Sequence, residues 1–178
     1  MWPWGHLAVG YLAYSGLRRT RTTRPPTGTD VIALAVGTQF PDLMDKPLAW
    51  WVGVLPTGRS LAHSLLTASV LLAVTYGICR RNGHRSRWAA FAVGYVSHPF
   101  ADVLLPVLAG GYGRATFLLW PILPLSSPNS GPSVVGVPGD FPIELSLVVA
   151  AVYVWLADGA PGVASVLPLG SDPRRERQ

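Results

Sequence analysis

GYVSHPFADVLLP, residues 94–106, is the stretch whose reading decides this chain. His98 and Asp102, four residues apart, sit inside an apolar run from Trp88 to Ala109. About 20 apolar residues cross a bilayer, and ionisable groups at that depth cost kilocalories unless they are paired or ligated. Positions four apart share one face of a helix. Both side chains can therefore reach a single metal ion, or bolt two helices together through a buried His–Asp hydrogen bond.

Composition widens the reading to the whole chain. Of 178 residues 49% are hydrophobic and only 13% charged, far greasier than a soluble domain of this size needs. The expectation is an all-α, multi-pass integral membrane bundle of about four to six helices, some short or re-entrant. A single membrane-embedded domain over residues 1–157 is expected, with a mobile tail over 158–178. The formal charge of +5 comes from clustered arginines rather than a basic face with interleaved aromatics, so it points to membrane topology and not to nucleic acid. A lone cysteine, Cys79, excludes an internal disulfide and a thiolate metal cluster. Trp2 and Trp4 read as interface anchors, and charges follow rather than precede the first apolar segment, so no cleavable signal is expected.

Outward from the central stretch, Pro3–Leu17 and Thr29–Phe40 read as a short helical hairpin, the second helix ending at Pro41. Leu48–Leu55 reads as an interfacial or re-entrant piece. Ser60–Cys79 is the clearest spanning helix, with one ionisable residue, His63, near its start. Trp88–Ala109 crosses back and should kink at Pro99. Phe117–Leu125 is short and apolar, Ser126–Asp140 is a Gly/Pro/Ser loop, and a last helix runs from Phe141 or Pro142 to Leu156.

Eleven of the fourteen basic residues lie in the 18–24 loop, the 80–87 loop and the C-terminal tail, which the positive-inside bias places in the cytoplasm. On that map His6 opens the first helix, Asp42 and Asp45 follow the second, and His63 opens the third. Asp102 stands roughly 21 Å up the fourth helix, and Glu144 opens the last. All lie away from the arginines, toward the outer face. Groups of metal-ligand type scattered over 139 residues thus converge on one depth, which favours a metal site over a buried structural pair.

Imidazole and carboxylate suit zinc, manganese or iron. Asp42, His63, His98 and Asp102 have the two-His, two-carboxylate make-up of an ion that holds an activatable water. His6 and Glu144, with Asp45, are candidates for a second ion. Ser64 and Trp120 are candidates for groups that orient the ligands. Arg59, one turn before His63, can hold an anionic group of a substrate or pair with a carboxylate, whereas Lys46 reads as a solvated charge and Asp30 as a helix cap.

The segments GHLAVGYLAYS, GTQFPDLMD, GRSLAHSLL, GYVSHPFADVL and FLLWPIL, in this order, resemble the YdjM-like membrane-bound metal-dependent hydrolase family. That family is in turn similar to the zinc-dependent phospholipase C and S1/P1 nuclease class. The resemblance implies a helical fold with zinc held by His6, Asp42, His63, His98, Asp102 and Glu144. The soluble phospholipases complete a three-metal cluster with a processed N-terminal tryptophan and two later histidines. No histidine follows His98 here, so one or two ions are expected.

The resulting expectation is a membrane metallohydrolase in which an ion-activated water attacks an ester or phosphoester, possible in a lipid. Asp42 or Asp45 would handle the proton and Arg59 would steady an anionic group. Phosphoester over other esters rests on the resemblance alone. The competing class is a metal-ion transporter, which needs a polar route to both faces. A third reading, helices held by His–Asp pairs, needs no metal.

Overall fold

The two longest helices meet backbone to backbone because two glycines let them. In a computed structural model, which describes residues 1–125 and 141–163, helix α2 (Gly28–Trp50) packs against helix α4 (Arg85–Leu108). A Cβ on Gly37 would stand 2.3 Å from the Phe91 carbonyl oxygen, and one on Gly94 would stand 2.4 Å from that of Leu34. Small residues are what allow such close approach.

Around this pair stand α1 (Pro3–Arg21), α3 (Leu65–Arg81), a 3-10 helix (Tyr112–Leu119) and α5 (Phe141–Ala157). Among the described residues the regular elements are all helices, with no strand. Local chemistry explains the helix starts. Pro3 occupies the first turn of α1, where its missing N–H costs nothing. Thr27 and Asp30 form a capping box on α2, so Asp30 caps as the sequence suggests.

Interhelical bonds fix the relative directions. Ser86 Oγ donates to Asp30 at 2.9 Å, joining the starts of α4 and α2. Tyr14 from the second half of α1 reaches Ser86. Just after α5, Asp158 accepts from Ser15 at 2.6 Å, Tyr11 at 2.9 Å and Arg19 at 2.8 Å. Helices α1, α3 and α5 therefore run one way and α2 and α4 the other. The arginines of the 18–24 and 80–87 turns gather at one end, and His6, Asp42, His63, His98 and Glu144 at the opposite end. Between the two ends lies a core of Tyr11, Tyr14, Leu34 and Ala90.

Several boundaries differ from those the sequence suggests. Helix α2 does not stop at Pro41 but runs through Pro41 and Pro47 to Trp50, and α4 continues through Pro99 and Pro106. Pro41 and Pro99 are buried in the helix packing, where tertiary contacts override the local cost of proline. Helix α3 begins at Leu65 rather than Ser60, because Ser64 caps it and residues 60–63 are bonded elsewhere. Its 17 residues make it shorter than the spanning helix expected there. Among the described residues only Arg85–Leu108 is long and apolar enough to cross a membrane, and Phe141–Ala157 is apolar but shorter. The expected mobile tail starts at Asp158, yet Asp158 is tied to α1 as above. The rest of that tail from residue 164, and the Ser126–Asp140 loop, lie outside the described residues.

Candidate metal centre

Asp45 organises the site's least regular segment. It projects from α2 with no solvent exposure and accepts the backbone N–H groups of Ser60 at 2.8 Å, Ala62 at 2.8 Å and His63 at 3.3 Å. The connection between α2 and α3 is thereby wound around one carboxylate. The same carboxylate takes His63 Nδ1 at 2.9 Å, and Tyr95 donates to the Ala62 carbonyl at 2.6 Å. His63 is thus held at both its backbone and its ring.

The bonds on the two rings fix their tautomers. His98 Nδ1 lies 2.6 Å from the Thr38 carbonyl oxygen, which can only accept, so Nδ1 carries the proton. His63 Nδ1 faces an Asp45 oxygen that already accepts from backbone N–H groups, so it also donates. In the neutral rings both Nε2 atoms then carry lone pairs, and they face each other at 3.2 Å. Asp42 Oδ1 lies 3.6 Å from each of them and is buried without a hydrogen-bond partner. Asp102 Oδ2 completes the group at 3.8 Å from His63 Nε2 and 3.9 Å from His98 Nε2.

Electron pairs thus converge where no hydrogen lies between them. Such an arrangement is repulsive in a low dielectric unless a cation occupies it. The sets Asp42, His63, His98 and His6, His98, Asp102 each bring one ligand atom per residue within 4.8 Å of the others. These buried His/Asp groups could hold a metal ion, and His98 is common to both sets.

The remaining residues surround this core. The His6 ring stacks on His98 at 3.7 Å between centroids. Its Nε2 lies 3.3 Å from Asp102 Oδ1, a carboxylate oxygen that the Met1 amino group also approaches, and its Nδ1 is buried and unpartnered. Glu144, at 1% exposure, accepts only the Trp2 N–H among the described residues, at 3.1 and 3.3 Å. Ser64 and Trp120 meet each other, Ser64 Oγ donating to the Trp120 carbonyl at 2.6 Å. They fasten the 3-10 segment to α3, and Phe117 of that segment packs edge-on against His63.

Two side-chain cations near the centre are also held by its carboxylates. Arg59 Nε donates to Asp102 Oδ2 at 2.7 Å. Lys46 is not the solvated charge its sequence suggests, since its amino group bonds Asp42 Oδ2. Among the described residues, four buried or nearly buried carboxylates, of Asp42, Asp45, Asp102 and Glu144, thus outnumber three cationic groups, of Lys46, Arg59 and the Met1 amino terminus. Thr38 and Tyr95 carry no mark in the sequence. Nothing there marks a carbonyl acceptor or a tyrosine bonded 33 residues away, whereas the i,i+4 spacing of Asp42 and Lys46 was a readable signal.

The family model described as YdjM inner membrane protein matches residues 1–167. No curated protein and no solved structure matches the chain.

Proposed function

We propose that this chain, which belongs to the YdjM inner membrane protein family, binds a divalent cation in the His63, His98, Asp42 and Asp102 cluster and hydrolyses an ester or phosphoester beside it. One observation carries the reading. Two imidazole lone pairs at 3.2 Å and an unpartnered buried carboxylate oxygen at 3.6 Å from both have no hydrogen to share. Zinc suits the donor set. Ligand atoms about 2.0–2.2 Å from a tetrahedral ion stand about 3.3–3.6 Å apart, close to the separations of this cluster. A bound ion of this kind supplies Lewis acidity and a water acidified toward neutral pH.

The chain's own groups do the rest. The Asp45 carboxylate and Thr38 carbonyl hold protons on the two Nδ1 atoms, keeping both Nε2 atoms free to bind. Asp45 is committed to this positioning by its four bonds. Asp42 is the carboxylate left to handle a proton, at Oδ2, which Lys46 bonds, while Oδ1 faces the ion. Arg59 orients Asp102 through Nε, and its terminal nitrogens, on a side chain 50% exposed, face outward for an anionic group. His6 and Glu144 are the candidate donors of a second ion, with Asp102 able to bridge through its two oxygens, whereas the one free lone pair on His98 Nε2 serves a single ion.

The multi-pass reading belongs to this proposal too. Alternating helices with arginines at one end suit a bundle with its basic turns in the cytoplasm and the metal site toward the outer face. Ion transport is the weaker reading, because the core of Tyr11, Tyr14, Leu34 and Ala90 lies between His98 and the polar contacts at the arginine end.

The test is turnover by purified protein on carboxylate-ester, phosphomonoester and phosphodiester panels. Activity should vanish with chelator, return with zinc and be absent in Asp42→Ala and His98→Gln variants that remain folded. Activity that persists in those variants, or none with any ion supplied, would sink the hydrolase reading.

A further inference from the structure

The connection that carries His63 has a second face. Before it turns inward, the chain exposes Trp51 at 84%, Val52 at 62% and Val54 at 64%, with Trp50 beside them. Four exposed apolar side chains, three of them on non-helical backbone beyond α2, are costly in water. Four of the segment's backbone donors are bonded within the protein: Trp51 and Val52 donate to the Pro47 carbonyl at 3.0 and 3.1 Å, and Val54 and Leu55 to that of Leu48 at 3.0 and 3.4 Å. Non-helical backbone can enter hydrocarbon only when its polar groups are bonded within the protein. The segment combines exposed apolar side chains with four internally bonded donors, which suits the headgroup boundary, where its carbonyls still meet water.

Two cations mark the base of this segment. Lys46 lies over the Trp50 ring at 5.8 Å, and Gly58 packs against both side chains. Arg59 follows at once, its two terminal nitrogens making no hydrogen bond among the described residues. Both cations also touch ligand candidates, Asp42 and Asp102. Stacked Trp2 and half-exposed Trp4 stand at the same end of the bundle, as aromatic anchors do at a headgroup boundary. Apolar side chains for acyl chains, then cations for a phosphate, then the metal centre follow one another along a single segment.

We infer that residues Trp50–Arg59, with Lys46, form a docking surface for a glycerophospholipid of the surrounding leaflet, acyl chains against Trp51, Val52 and Val54 and phosphate at Arg59 and Lys46. This names the substrate class of the proposed hydrolase. It rests on that reading only for the lipid's being a substrate, since docking itself needs neither ion nor turnover.

The experiment uses full-length protein stripped of metal with chelator. Nitroxide labels are placed by Val52→Cys and Val54→Cys in a Cys79→Ser background, and the protein is reconstituted into phosphatidylethanolamine/phosphatidylglycerol vesicles. Collisions with oxygen should exceed those with a water-soluble paramagnetic chelate several-fold at both positions, and the order should reverse at Asn82→Cys. Chelate-dominated collisions at 52 and 54 overturn the docking surface. In uncharged detergent, Lys46→Gln and Arg59→Gln should each weaken phosphatidylglycerol binding at least about threefold. Unchanged affinity in both, or equal affinity for free glycerol 3-phosphate, also overturns it. Metal never enters these readouts, so failure of the metal or hydrolase reading leaves them unmoved, and their failure leaves that reading standing.

Discussion

Replacing Asp45 separates holding the protein together from preparing His63 for an ion. The carboxylate accepts three backbone N–H groups and one imidazole N–H. A buried donor left without its acceptor costs about 1–3 kcal/mol, so Asp45→Ala, which abandons four, should cost at least about 4 kcal/mol and leave residues 57–64 disordered. Asp45→Asn is gentler. Its amide oxygen can occupy the Oδ2 position and keep the bonds from Ser60 and His63. Its NH2 group then opposes the Ala62 N–H, which donates to Oδ1 at 2.8 Å. One bond is lost and two donors confront each other, at a cost of about 1–3 kcal/mol. The His63 ring also loses its charged partner, and removal of such outer partners lowers metal affinity by about 10–100-fold. Thermal unfolding in detergent, with and without chelator, reads the first effect, and zinc competition against a chromophoric chelator reads the second. Zinc affinity within about threefold of the parent in a destabilised Asp45→Asn protein would refute the positioning argument.

Other outcomes follow from the same geometry. In chelated protein, Asp42→Asn removes the unpartnered Oδ1 charge beside two lone pairs. Its melting temperature should equal or exceed the parent's, while the zinc-induced rise disappears; a lower apo melting temperature with the zinc response intact would contradict this. Gly37→Ala drives a methyl to 2.3 Å from the Phe91 carbonyl oxygen, and overpacking against backbone costs about 1–3 kcal/mol or more. An unchanged unfolding midpoint would show that α2 and α4 do not meet there. Asp158 is partly buried, which alone raises a carboxyl pKa, but bonds from Ser15, Arg19 and Tyr11 prevail and hold it below the ordinary value. A depressed carboxylate stabilises the fold above the ordinary carboxylate range and ceases to do so as pH falls through its folded value. Asp158→Asn should therefore flatten the acid limb of the stability curve, and identical acid limbs in the two proteins would count against the latch.

Much of this arrangement was legible because it follows from helix order and charge. Alternating apolar segments with arginines after the first, third and last put His6, Asp42, His63, His98 and Glu144 at one end, and the structure gathers four of the named donors within 4 Å of their neighbours. What stayed hidden depends on bonds between distant backbone atoms. Asp45 and Asp42 look alike in the sequence, yet one meets the turned backbone of residues 60–63 and the other an open space between rings. The start of α3 moved to Leu65 for the same reason, since the preceding residues bond to Asp45 instead of to one another. Pro41 reads as a helix stop because local cost is visible in sequence and the packing that overrides it is not.

The central claim is that the converging lone pairs hold a metal ion. Elemental mass spectrometry of the detergent-purified chain, after loading with zinc and removal of excess, tests it most directly, beside His63→Gln and Asp102→Asn proteins shown by circular dichroism to be folded. The account predicts one or two zinc ions per chain in the parent and a loss of at least one in each variant. No bound zinc, manganese or iron in a folded parent would contradict it and leave the histidines and aspartates as the polar fastening of a helical bundle.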